Sequence, residues 1–437
     1  MAASFGERLL AEVHEERLDE LLHDLRDLCQ ESIGRDALKT RFGVSALDSL
    51  LDIFTAPAPS GQHVHVPEPV RETQIAEHEP DDELPREAAE DTADIHLANV
   101  TVSAPTSRAE PVLEISSTSS AAGKSHLLYY LTAIAILPSE FNSIQLRGRD
   151  SAAVYIDTDG RFDAERLRTV LRGLVEAKCK AQGKVPLDED AENMIASCLQ
   201  HVHVLRPQSS SALLATLQTL DTYLLDLPRH VSGSRALQLI ILDSANAFYW
   251  QDKLQDEVTR VGDIGRPAAE IENNRRQKQG FYLFDMYTDL VRELKRLQRV
   301  FSCAVVFTTT AAPSTKHDHR PPGYQPSGPY DLYNPADAPA FRMPAFRPAL
   351  PAPWGTFPTL RIVVQRDTVR QFAVAIDLQQ AERQAAKRQE LVMRGKFSGW
   401  VNMWGCEEWP RRWIEGIEAL DGGMLFFRVG RDGVQFD

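Results

Sequence analysis

Thr118-Ser-Ser-Ala-Ala-Gly-Lys-Ser125 is the stretch that decides the fold. Before it, residues 112–115 form a short apolar run that reads as a strand. After it, residues 127–137 read as a helix stopped by Pro138, which cannot continue the helical ladder. A strand, a turn ending in Gly-Lys-Ser and a helix together fit the P-loop pattern GxxxxGK[ST]. In that pattern backbone N–H groups face phosphates, the lysine reaches the β and γ phosphates, and the hydroxyl ligates Mg²⁺. Here Thr118 replaces the first glycine. Ser119, Ser120, Ala121 and Ala122 fill the turn, and Gly123, Lys124 and Ser125 supply its last three requirements. A bare Gly-Lys-Ser is common; the flanking strand and helix make the case for a bound nucleotide with Mg²⁺.

Working outward, apolar runs at 154–156, 202–205, 237–242 and 304–307 alternate with helical patterns at 163–180, 189–199, 210–225 and 281–300. Strands separated by helices indicate an α/β fold with a mostly parallel, doubly wound sheet. The runs 360–365 and 371–376 read as a hairpin at its far end. The run 237–242 leads into Asp243, placed to order Mg²⁺; capping the next turn is the plainer use of that residue. Asp157 and Asp159 stand at the end of another strand, where ligands of open α/β sheets sit, and Asp159-Gly160 is also an ordinary turn pair.

The ends and insertions differ in character. In residues 1–54, Leu10, Leu18, Leu21, Leu25 and Leu28 mark an amphipathic helix, suited equally to the chain's own body or to a partner. Residues 55–110 are rich in proline and acidic groups and poor in large apolar ones, the composition of a disordered linker. The core is placed at 111–378, with a long Pro-rich loop at 311–358. Residues 379–437 hold a helix and a tail with Trp400, Trp404, Trp409 and Trp413.

Composition bounds the function. A formal net charge of -14 argues against coating nucleic acid by bulk attraction. Five dispersed cysteines suit a reducing compartment. No run approaches a membrane span and the first residues lack a secretory core, so a soluble intracellular protein is expected. Cys198, His201 and His203 are read as strand and helix residues rather than half of a metal site.

The three chemical elements, in this order, resemble the RecA-type recombinases of eukaryotic homologous recombination and their paralogues. Tyr155-Ile-Asp-Thr-Asp-Gly160 and Glu165-Arg-Leu167 are similar to a strand end and the helix after it. Phe42-Gly-Val-Ser-Ala-Leu-Asp-Ser-Leu-Leu51 resembles the lead-in, and the segments 124–138 and Leu242-Asp-Ser-Ala-Asn-Ala-Phe-Tyr-Trp250 are similar to one paralogue branch. The resemblance implies a RecA-like P-loop ATPase core and a nuclear DNA-repair role. It also implies hetero-oligomerisation with other RecA-like paralogues and contact with single-stranded or branched DNA.

Within it, Lys124 would hold phosphates, Ser125 and Asp243 Mg²⁺, and Asp159 would be the catalytic carboxylate. Asp159 stands where the family carries glutamate, and Thr309 and Thr310 stand where it carries an asparagine–glutamine pair. Weak or absent hydrolysis follows. The family's two DNA-binding loops map to 251–279, with Arg275, Arg276 and Lys278, and to 311–358, with Lys316 and Arg320.

Overall fold

The computed structural model describes residues 42–55, 110–183, 189–277, 280–311, 343–367, 377–393 and 395–436. In chain order they form α1 (Ser45–Thr55), β1 (Val112–Ser117), α2 (Lys124–Ile136), β2 (Ala152–Asp157), α3 (Ala164–Ala181), α4 (Glu189–Leu199), β3 (Val202–Leu205) and α5 (Ser210–Leu225). Then come β4 (Leu237–Asp243), α6 (Tyr249–Gly262), α7 (Ala268–Arg276), α8 (Leu283–Phe301), β5 (Ala304–Thr310) and β6 (Leu360–Arg366). The last are α9 (Leu378–Met393), β7 (Lys396–Val401), α10 (Arg411–Ala419), β8 (Met424–Gly430) and β9 (Gly433–Phe436).

The strands form one sheet in the order β9-β8-β7-β6-β1-β5-β4-β2-β3. Every pairing from β6 to β3 is parallel, and those among β6, β7, β8 and β9 are antiparallel. The fold is thus α/β, with a large, mostly parallel sheet flanked by helices, as expected of a RecA-like core. Alternation along the strands divides the core in two. Ile115, Tyr155 and Ile241 join Leu128, Leu131 and Leu171 on the face covered by α2 and α3. Val154, Ile156 and Leu242 meet Leu217, Leu294 and Leu297 of α5 and α8 on the other. Each such side chain taken from water contributes roughly 1.5–3 kcal/mol.

Local signals set several ends. Asp163 caps α3 by accepting from the N–H groups of Glu165 and Arg166 at 2.9 and 3.2 Å, and Ser209 caps α5 from Ala212 at 3.1 Å. Two expectations need correction or relocation. Residues 251–277, read as part of a DNA-binding loop, are α6, a short turn and α7. The antiparallel neighbour of β6 is β7, with Val363 opposite Trp400; the run 371–376 lies outside the described residues. The Trp-rich tail adds β7, β8 and β9 to the sheet. The amphipathic segment 5–30 and the linker after Thr55 also lie outside the described residues, apart from Glu110. No described helix is long and apolar enough to cross a membrane.

Candidate functional site

β1 ends at Ser117 and the chain turns through Thr118–Gly123 into α2. The positive φ values of that turn fall on Ala121 (58°) and Gly123 (94°), so Thr118 is spared the left-handed region its β-branch would resist. Glycine is required at 123. A Cβ there would lie 3.0 Å from the Phe397 ring, besides the strain of φ +94°. Lys124 Nζ donates to Ser117 Oγ at 2.5 Å and so folds back over the turn.

The neighbouring strands bring their carboxylates to the same place. Asp243, at the end of β4, accepts from Ser125 Oγ at 3.0 Å, from Tyr155 OH at 2.9 Å and from Thr308 Oγ1 at 2.6 Å. Three hydroxyl donors aim one carboxylate at the helix start, a fixed arrangement suited to ordering a divalent cation beside Ser125. At the end of β2 the two carboxylates divide their work. Asp157 is buried and holds the following turn, accepting from the N–H groups of Arg161 and Phe162 at 3.0 and 2.9 Å and from Arg206 Nε at 3.1 Å. Asp159, presented by that turn, faces the open side.

Lys124, Ser125, Asp159, Arg161, Asp243 and Arg366 line one cavity of about 720 Å³, within the size range of nucleotide and cofactor sites. Burial pulls the Lys124 pKa below its ordinary value, while the charges of Asp243 and Asp159 oppose that shift. Burial, and then the charge of Asp243, raise the pKa of Asp159. With Lys124, Arg161 and Arg366 against Asp159 and Asp243, the lining suits a polyanion that arrives with its own cation. The turn with its left-handed glycine, the lysine and the hydroxyl–carboxylate pair therefore fit Mg-ATP.

Some contributors were not foreseen from sequence. Thr308 and Tyr155 hold Asp243, yet nothing in an apolar strand marks them for it. Phe397, Gly395, Val429 and Gly430 bring the C-terminal strands to the cavity wall. Phe397 stacks on Phe427 at 5.3 Å, and Arg166 of α3 ties down the carbonyls of Gly430 and Arg431. Thr309 donates to buried Glu114 at 2.7 Å, and Glu114 pairs with Arg361 at 3.1 Å. Thr310 lines the cavity, and the Asn246 side chain brackets its backbone, donating to its carbonyl at 3.2 Å and accepting from its N–H at 3.4 Å.

Of the cations assigned to DNA, the described Arg275 and Arg276 do not line this cavity. Arg275 pairs with Asp285, and Arg276 with Glu272 at 3.1 Å, both on exposed helix. Lys278, Lys316 and Arg320 lie outside the described residues. His201 and His203 share Ser232 Oγ, at 3.1 and 3.0 Å, and His203 also meets Tyr223 OH at 3.0 Å. Those ring nitrogens are thus engaged within the fold.

No protein-family model matches the chain. It is 26% identical to the "DNA repair protein XRCC2 homolog" of Arabidopsis thaliana over 277 residues, 59% of this chain and 70% of that protein. It is 33% identical to the "DNA repair protein XRCC2" of Mus musculus over 132 residues, 30% of this chain and 39% of the mouse protein. The chain is XRCC2-like. That likeness joins the sheet order and the strand–turn–helix at Lys124 in pointing to one type of RecA-like core. The match to the mouse protein spans well under half of its length.

Proposed function

We propose that this chain is an ATP-binding subunit of an assembly that repairs DNA double-strand breaks by homologous recombination. Within that assembly it works in the nucleus beside other RecA-like paralogues and assists recombinase loading on single-stranded DNA. The observation that carries the reading is the meeting of Lys124, Ser125 and Asp243 in one cavity at a strand–turn–helix. Similarity to DNA repair proteins of the XRCC2 type supports the biological role. Bound Mg²⁺ would supply charge neutralisation at the phosphates. Lys124 would hold the β and γ phosphates, Ser125 and Asp243 would position the cation, and the turn 118–123 would offer its N–H groups.

Hydrolysis is slow or absent on this reading. Asp159 is one methylene shorter than glutamate, so its carboxylate reaches less far toward an attacking water. Arg275 is tied to Asp285 of α8, and Arg276 to Glu272 of its own helix. DNA contact is therefore assigned to the assembled complex rather than to α7.

The test is replacement of the gene by tagged wild type or Lys124→Ala in its own cells, with break repair and co-purifying proteins read together. Recovery of RecA-like paralogues and of repair by the wild type, with repair impaired in the variant, is the expected result. A wild type that recovers only unrelated proteins would refute the reading. One observation favours a scaffold with a vestigial P-loop: the Phe397–Phe427 pair stands beside the turn, where a Cβ on Gly123 would meet it. That alternative predicts equal repair by both proteins.

A further inference from the structure

Helix α6 is built inside out. Asp252, Asp256, Thr259 and Asp263 recur at spacings of four, three and four, so they share one face. That face holds the body. Asp252 accepts from Ser210 and, at 3.3 Å, from Tyr287 OH. Asp256 accepts from Leu283 N–H at 3.0 Å, Thr259 Oγ1 from Phe281 N–H at 3.2 Å, and Asp263 from Tyr282 OH at 3.0 Å. The opposite face carries Trp250, Leu254, Val258 and Val261, 71%, 62%, 65% and 67% exposed, continued by Ile264 at 78%. Scattered exposed apolar residues are ordinary, but a continuous stripe opposite a polar anchor marks an interaction surface. This stripe stands where the resemblance places a DNA-binding loop, yet it offers nucleic acid little free positive charge.

We propose that the stripe pairs antiparallel with the same stripe of a second copy of this chain. The argument is charge complementarity under a two-fold axis. Lys253 and Glu257 lie on one flank of the stripe, four residues apart, and the other flank carries uncharged Gln251 and Gln255. When two such helices run antiparallel about a point near Gln255, like flanks meet. Lys253 then faces Glu257 of the second copy, and Glu257 faces its Lys253. Leu254 layers against Val258 of the second copy, and Trp250 reaches the smaller Val261. Within one chain Lys253 Nζ is 4.0 Å from Glu257 and 5.3 Å from the Trp250 ring, so both groups are already held at the rim. Five large apolar side chains, with Phe284 nearby and 55% exposed, supply the apolar centre that an interface of the standard size, roughly 800 Å² per partner, requires. The pairing does not depend on nucleotide binding.

Sedimentation velocity of the full chain across a dilution series tests this. A dimer that dissociates on dilution is expected, and Leu254→Asp should abolish it with an unchanged circular dichroism spectrum. Lys253→Glu or Glu257→Lys alone should weaken it roughly three- to tenfold, since each leaves like charges opposed twice. The double swap, Lys253→Glu with Glu257→Lys, should restore it. A wild type that is monomeric throughout, or a double swap no better than its parents, overturns the proposal. Capture of a different protein's helix by monomeric chain would overturn it equally.

Discussion

Helix α2 follows β1 and α6 follows β4, strands separated in the sheet by β5 alone. α2 buries nine of its thirteen residues, whereas α6 buries only Asp252 and Asp256. Helix α2 is wrapped by its own fold on nearly every side, so its apolar residues contribute to stability and only its first turn is left for chemistry. α6 spends its polar side on attachment and leaves its apolar side outward. One helix is finished by the chain that makes it; the other has the surface of a helix awaiting a partner.

The largest expected effect sets the two apart directly. Leu128→Ala, at a fully buried position, should cost about 2–5 kcal/mol in urea unfolding, while Leu254→Ala on α6, at dilutions where the chain is monomeric, should stay within about 0.5 kcal/mol. Equal losses would break the contrast. The next concerns the buried histidines on the sheet face that also carries α5. Burial, helped by His230 and His201, lowers the His203 pKa to about 4 from the ordinary 6.5. The folded chain therefore holds fewer protons than the unfolded one between those values. The stability from neutral His203 is complete above 6.5 and is lost as pH falls toward 4, up to roughly 3 kcal/mol. Melting temperature followed over that window, wild type beside His203→Gln, should show a flatter profile in the variant.

A smaller effect probes the attachment of α6. Asp256→Ala removes the acceptor of Leu283 N–H and the partner of Arg260 at 2.8 Å, which should cost about 1–3 kcal/mol. Hydrogen exchange should then rise in α6 and leave α2 unchanged; faster exchange in α2 would mean the two helices do not open separately. Smallest of all, Arg275→Ala breaks an exposed pair with Asp285 and should move stability by less than about 1 kcal/mol.

Much of the parallel half was legible because each element carries its own signal. The strands are continuous apolar runs, and Pro138 closes the helix after Lys124-Ser125. What escaped reading depends on contacts between distant segments. Val363 and Trp400 meet across antiparallel strands with no turn between them short enough to announce a hairpin. Phe397 and Val429 reach the cavity only because the tail folds back beside β6. The loop expected at 251–279 is largely helix over its described part, for a different reason: resemblance supplied the loop, while Trp250, Leu254 and Val258 already had helical spacing. That spacing normally signals burial, and here it does not. At the site, Gly123, Lys124 and Ser125 could be named from pattern, but the clustering of Tyr155, Thr308 and Ser125 on Asp243 needed the sheet order.

The most direct test of the central claim is calorimetric titration of ATP, with and without Mg²⁺, into the purified protein in its assembly, wild type beside Lys124→Ala. The account predicts Mg²⁺-dependent binding by the wild type. It predicts about a hundredfold loss in the variant, close to 2.7 kcal/mol, at an unchanged melting temperature without ligand. A wild type that binds no nucleotide, or a variant that binds as well, would contradict it.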